Sequence, residues 1–360
     1  MSASPTEGLR RRDLLKVSAL AAASPLAMAA AAAEPVGSAL RRPAVKVARP
    51  TQAVLQAAAR AGTRCVAVGE RGLVLLSDDD GRQWRQVPVP VSAGLTAVTF
   101  VDARHGWIVG HGGVVLVTHD GGESWAQQLD GLRIAALMMK DAEAAGDTKA
   151  MAEAKRLIAD GADKPLLDVL FRDALHGIVV GAYNLALATS DGGATWQPLS
   201  RALDNPKGLH LYAARQRGDE VLLAGEQGLV LRSTDGGRRF ARLATPYRGS
   251  FFTVALDGGE DIVVAGLRGN VLRSQDHGAT WQPLPMTVPV SFTASAVDET
   301  GRWWLANQAG MTFALLGNGL QRVPGKLAPI NGLLVLPRGR ALALTTTGVM
   351  PFDLSAGVSR

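Results

Sequence analysis

The stretch Ser274-Gln275-Asp276-His277-Gly278-Ala279-Thr280-Trp281 reads S-x-D-x-G-x-x-W, and the chain repeats it. Ser77, Asp79, Gly81 and Trp84 form the first copy, and Thr118, Asp120, Gly122 and Trp125 the second. Thr189, Asp191, Gly193 and Trp196 form the third, and Ser233, Asp235, Gly237 and Phe240 the fourth; Ser274 opens the fifth. An apolar strand runs into each copy, as in Leu229-Val230-Leu231-Arg232, and a short strand leaves after the aromatic. Between them Asp accepts hydrogen bonds from turn amides and Gly takes backbone angles closed to other residues, which makes a tight hairpin turn. The aromatic then packs onto the neighbouring hairpin.

The five copies resemble the Asp-box, the bacterial neuraminidase repeat. Asp79, Asp120, Asp191, Asp235 and Asp276 are separated by steps of 41, 71, 44 and 41 residues, so one step carries an insertion. A second marker runs in parallel: a strand ending in Val-Gly or Ala-Gly, a two-residue turn, then Gly. It appears at Val68-Gly69, Val109-Gly110, Ala224-Gly225 and Ala265-Gly266, and in weaker form at Val180-Gly181, Ala306-Asn307 and Leu344. That makes seven units, of which the last two lack the box. Units of about 40 residues with four strands each predict an all-β fold, a seven-bladed β-propeller, over 51–355.

The N-terminus reads as a targeting segment over 1–33. Arg11-Arg12-Asp13-Leu14-Leu15-Lys16 looks like a twin-arginine export motif, and an Ala-rich apolar stretch to Ala33 follows, ending in small-residue cleavage sites. A periplasmic location after cleavage is expected. Residues 34–50 contain the alternating run 44–48, which predicts a strand that completes the seventh blade and closes the ring by strand exchange. The single cysteine, Cys65, lies in a first-blade strand and is expected to be a buried small apolar residue. The formal charge of +6 is mild, and no nucleic-acid partner follows from it.

The insertion spans 131–161. Asp130 caps a helix from Leu132 to Ala145, Gly146-Asp147 breaks it, and a second helix follows from Thr148 to Ala159. Met151, Ala154, Leu157 and Ile158 share one face of it, so a helical hairpin packed on the propeller, or a docking element, is expected. His105 and His176 sit in F-x-D-A-x-H-G turns rather than in a ligand pattern, and no H-x-H, HExxH or CxxC spacing predicts a metal. No cofactor is implied.

Strand alternation places the inter-blade loops and the turns between second and third strands on one face, opposite the Asp-boxes. That face collects His210, Tyr212, Glu226, Tyr247, Arg248 and Arg268 near the channel mouth, where propeller sites commonly form, and these are the candidate partner-binding residues. The leader, the Asp-box blades, the G-W-x-V-G strand at Gly106-Trp107-Ile108-Val109-Gly110 and the Gly-x-x-Gly turns together resemble the photosystem II stability/assembly factor family and its bacterial relatives. The resemblance implies an exported, non-enzymatic propeller that binds a membrane protein or complex and assists its assembly through an arginine-rich surface, to which Arg248 and Arg268 correspond. The helical insertion departs from the photosynthetic pattern and points toward a bacterial envelope complex such as a transporter. The rival classes are a sialidase-like glycoside hydrolase, with Tyr212 or Tyr247 as nucleophile and Glu226 as its partner, and a carbohydrate-binding propeller. The F/Y-R-I-P motif of sialidases is missing.

Overall fold

A computed structural model of the chain describes residues 39–256 and 259–354. The export leader predicted over 1–33 lies outside the described residues. Within the compact unit Pro35–Arg360, seven antiparallel sheets form a β-propeller. In blade one Leu55–Ala61, Arg64–Gly69, Val74–Ser77 and Arg85–Val87 follow one another from the channel outward. Blades two to six repeat this order with four strands each, and blade seven has three. The second strands are almost wholly buried, as in Gly106–Gly110 and Ile262–Gly266, and supply the apolar layers between blades.

Each Asp-box is a closed hydrogen-bond circuit. The buried Thr189 hydroxyl donates to Asp191 Oδ1 at 2.8 Å and accepts from Gly193 N at 2.8 Å. Asp191 then accepts from Thr195 N at 2.9 Å and Thr195 Oγ1 at 2.5 Å. The hydroxyl, glycine and amide bonds of this circuit recur at Asp79, Asp120, Asp235 and Asp276, and Asp120 and Asp276 also take the second hydroxyl bond, from Ser124 and Thr280. The aromatic that follows packs back onto the preceding blade: Trp125 on blade one, Trp196 on blade two, Phe240 on blade three and Trp281 on blade four. Trp84 of the first box packs in the same way on Leu334 and Val349 of blade seven.

These circuits set an acid limit. The Thr280 hydroxyl and amide hold the Asp276 carboxyl at about 2, and Thr195 does the same for Asp191. At Asp120 burial alone would raise the value, but bonds from Ser124 and Thr118 outweigh it and the carboxyl again lies at about 2. A depressed folded-state pKa adds stability that is complete above the unfolded value and disappears as pH falls through the folded one. Stability is therefore expected to be insensitive to these boxes above pH 3.8 and to fall between 3.8 and about 2. Chemical denaturation across that range checks this, with Asp191→Asn expected to flatten part of the slope.

Ring closure differs from the strand exchange expected of 44–48. Blade seven stays three-stranded, and residues 44–48 form a strap along blade one. Ala44 N donates to Val89 O at 3.1 Å, and Val47 N donates to Gln86 Oε1 at 2.8 Å. The cause lies upstream. Leu40 is buried among Val89, Val91 and Ala162, and this anchor directs the segment to blade one. Val45 and Val47 are both exposed, so the alternation never becomes a half-buried strand. Pro351, in the outermost strand of blade seven, suits an unpaired edge because it lacks an amide donor. Side chains close the ring instead. Arg340 Nη2 donates to Asp80 Oδ2 at 2.7 Å, Asn331 Nδ2 donates to Leu55 O at 2.9 Å, and Trp84 and Cys65 pack with Leu336, Leu342 and Val349. Burial pushes the Cys65 thiol up to about 11, which keeps it neutral within this seam.

Two helices, α1 (Gly131–Ala145) and α2 (Thr148–Asp160), connect blades two and three. Asp130 and Asp147 cap them by accepting from Arg133 N and Ala150 N. Ile134 and Ala154 are buried, and Leu137, Met138 and Leu157 pack against the core of blades two and three. Ile158, which the sequence pattern groups with that stripe, is instead 49% exposed.

Candidate functional site

The innermost strand of every blade carries a β-bulge at its second residue. Pairing skips Gln56, Thr96, Leu167, Tyr212, Phe252, Thr293 and Asn331 in turn. A bulge takes a residue out of the ladder and re-aims its side chain. All seven line the central channel, a cavity of about 380 Å³.

The seven differ in what they do. Thr96 Oγ1 donates to Leu166 O at 2.8 Å, Thr293 Oγ1 to Ile330 O at 2.5 Å, and Asn331 Nδ2 to Leu55 O. Each thus bonds the first residue of the next blade's inner strand. In blades three to five the bulged residues are Leu167, Tyr212 and Phe252, and the latch gives way to an apolar and aromatic sector. Asp168 spans the seam below it, accepting from Ala214 N at 2.9 Å and Arg215 Nη1 at 2.7 Å.

Above the aromatic sector a ladder of rings crosses three blades. Tyr183 meets His210 at 4.6 Å between centroids, His210 meets Tyr212 at 6.1 Å, and Tyr212 meets Phe252 edge-on at 5.2 Å. Glu226, in the turn between the second and third strands of blade four, organises its middle. Its Oε2 accepts from His210 N at 2.9 Å and its Oε1 from Tyr212 OH at 3.4 Å. Burial and the Glu226 charge push the Tyr212 phenol up, so it stays neutral and donates. Tyr183 stands 58% exposed in a left-handed turn (φ 55°), with Lys164 Nζ over its ring at 5.1 Å. Lys164 is itself held by Asp160 and Asp163 at the root of the helical hairpin.

The structure therefore brings His210, Tyr212 and Glu226 into one cluster. Tyr247 and Arg268 form a neighbouring one. Tyr247 OH donates to Leu267 O at 3.0 Å, and its ring packs on Phe251. Burial pushes its phenol up, partly offset by the Arg268 charge. Arg268 occupies a left-handed turn position (φ 55°), and both it and Arg248 are exposed. Neither guanidinium has a hydrogen bond or ion pair among the described residues. Sequence reasoning missed Lys164 and the Asp168–Arg215 pair. A column of second residues from the seven inner strands would have separated the latching blades from the aromatic ones.

Asp168 is the only carboxylate lining the channel among the described residues, and it is bound to Arg215. Tyr212 and Glu226, the tyrosine–glutamate pair that a sialidase-like reading would use, lie within 3.4 Å of each other. No group of three His, Cys, Asp or Glu residues converges on a metal site among the described residues.

The family described as photosynthesis system II assembly factor YCF48 matches residues 76–144 and 148–284, over half of the chain. The chain belongs to that family. The photosystem II assembly lipoprotein Ycf48 of Synechococcus sp. (strain CC9902) is 40% identical over 77 residues, which is 21% of this chain and 23% of the relative. That of Trichormus variabilis is 42% identical over 64 residues, 18% of this chain and 16% of the relative. The chain thus spans less than a quarter of the length of these YCF48 relatives. A solved structure of YCF48 bound to a D1 peptide superposes with a TM-score of 0.62 at 16% identity, covering 87% of this chain and 99% of that one. The GH74 xyloglucanase from Xanthomonas campestris reaches 0.60 at 12% identity, covering 86% of this chain and 53% of that one. At such identities both show the propeller fold alone, so YCF48 membership rests on the sequence match.

Proposed function

We propose that this YCF48-family protein is an exported, non-enzymatic assembly factor that grips a segment of a membrane-protein partner at the channel mouth. The observation that carries this reading is the break in the latches. Where Leu167, Tyr212 and Phe252 replace latching residues, the rings of Tyr183 and His210 extend the surface outward and Glu226 fixes their geometry. Aromatic rings with few rotatable bonds and unpaired arginines beside them are the side chains that dominate protein recognition. A relative of this fold was solved with a peptide bound, and the curated relatives are named lipoproteins, which accords with action outside the cytoplasm. The partner is a protein of the bacterial envelope, such as a transporter complex, and the action is periplasmic.

The test is crosslinked co-purification from envelope membranes, with partners identified by mass spectrometry. Tyr212→Ala and the double variant Arg248→Glu/Arg268→Glu are each expected to weaken recovery of a specific membrane protein by about tenfold or more, the scale of a hot-spot loss. The melting of the double arginine variant should change little, because both side chains are exposed. Undiminished recovery in both variants would overturn the reading.

A further inference from the structure

Five of the eight large apolar side chains exposed among the described residues project from the face opposite the Asp-boxes: Leu132, Ile158, Tyr183, Leu267 and Val288. Their positions in the chain fix the face. Leu132 and Ile158 stand on the hairpin between blades two and three, and Val288 lies in the loop between blades five and six. Tyr183 and Leu267 occupy turns between second and third strands. Val45 and Val47 lie on the strap at the flank of blade one, and Leu175 alone stands on the Asp-box face. Monomeric propellers have no internal use for exposed apolar residues spread around one rim. Singly they need no explanation, but their segregation to one face does.

The same rim carries cations without partners. Arg71, Lys207, Arg248, Arg268 and Lys326 are exposed on its loops and turns. Their side chains form no ion pair among the described residues. The Asp-box face carries both kinds of cation: Arg64 and Arg85 pair with Asp78 and Glu123, and Arg217 and Arg232 share Glu220, whereas Arg82, Arg238, Arg239 and Arg338 are exposed without an ion pair among the described residues. The strap enters on the apolar rim too, where Ser92 N donates to Ala39 O at 2.8 Å and Leu40 abuts Gly112.

Apolar knobs interleaved with unpaired lysine and arginine are the chemistry of an anionic lipid–water interface. The knobs enter the headgroup region, and the cations gain from the negative surface potential. A soluble acidic protein would use the cations but would leave the knobs, spread from the hairpin before blade three to the loop after blade five, without a matching concave surface. We propose that this rim rests on an anionic bilayer surface, which presents the channel mouth to the membrane. The rim meets the aromatic ladder at Tyr183 and includes Arg248 and Arg268 of the proposed partner surface, so the two can act together: lipid at the rim, a partner segment at the centre.

Vesicles without protein separate this from partner binding. Pro35–Arg360 contains every blade and core cluster, so it is tested without the apolar leader, which would partition by itself. It is expected to co-sediment with vesicles of phosphatidylcholine mixed with phosphatidylglycerol, about tenfold more than with phosphatidylcholine alone, and to be released by high salt. Leu132→Glu/Ile158→Glu/Leu267→Glu should cut that binding by about tenfold, while Leu175→Glu leaves it unchanged. Equal binding to both lipids, no binding to either, or equal loss in Leu175→Glu would overturn the proposal. Any of these would leave co-purification of a protein partner untouched. The comparison of lipids on the unsubstituted protein decides the matter even if the triple variant fails to fold.

Discussion

Replacing Trp107 by alanine is expected to remove about 4 kcal/mol of stability, near the top of what a single core truncation costs. Trp107 is fully buried in the second strand of blade two, and its indole lies flat on Phe171 of blade three, 3.5 Å between centroids and 5° between planes. Trp196 meets Phe171 in a T-shaped arrangement, 6.2 Å between centroids, so the three rings fill the junction of blades two and three. Trp107 Nε1 also donates to Gly192 O at 3.3 Å. Truncation would leave a cavity bounded by two sheets that are each fixed by their own ladders, and rigid walls collapse poorly. Chemical denaturation measures the loss. Trp107→Phe, which keeps the stack but not the bond to Gly192, should recover more than half of it. A loss under about 1 kcal/mol for Trp107→Ala would mean that the junction repacks freely.

The second large effect is expected at the point where the ring meets itself. Gly348 begins the last strand of blade seven at φ +120°, a conformation L-residues rarely adopt. A Cβ built there would lie 1.8 Å from Thr51 O and 2.8 Å from Thr51 C. The neighbour is backbone, so it cannot rotate aside. Gly348→Ala therefore combines strain with a clash that pushes the 50–52 turn off blade seven, and a loss of about 3 kcal/mol or more is expected. Gly317→Ala is the control. That glycine is also left-handed (φ 55°), but nothing lies within 4 Å of its would-be Cβ. It should cost about 1 kcal/mol, from backbone strain alone. Equal melting curves for the two alanine variants would show that the turn at Thr51 yields and that closure lies elsewhere in the seam.

These two sites mark how far the sequence could be read. The Asp-boxes were legible because the circuit is local: Ser or Thr, Asp, Gly and the aromatic lie within eight residues, and their spacing is their geometry. The hairpin was legible for the same reason, since its caps, Asp130 and Asp147, adjoin the helices they start. Closure was not. The alternation in 44–48 reads the same whether it adds to blade seven or runs along blade one, and the deciding contact, Leu40 against Val89 and Ala162, is long-range. At the mouth, His210, Tyr212 and Glu226 could be assigned to one face from strand alternation. Their convergence with Tyr183 and Phe252 depended on register, and the one-residue slip at each bulge leaves no mark in a single strand's sequence.

The bulges also divide the protein's evolutionary freedom in two. A residue in a ladder answers to its sheet, but Gln56, Thr96, Leu167, Tyr212, Phe252, Thr293 and Asn331 have each been excused from theirs. Changing one alters the channel's lining without breaking a ladder bond of its own sheet, and only at Thr96, Thr293 and Asn331 does it also cost a latch to the next blade. The fold sets seven such sockets around a common axis. The ring can keep its mechanics while its lining drifts toward a new partner, one socket at a time.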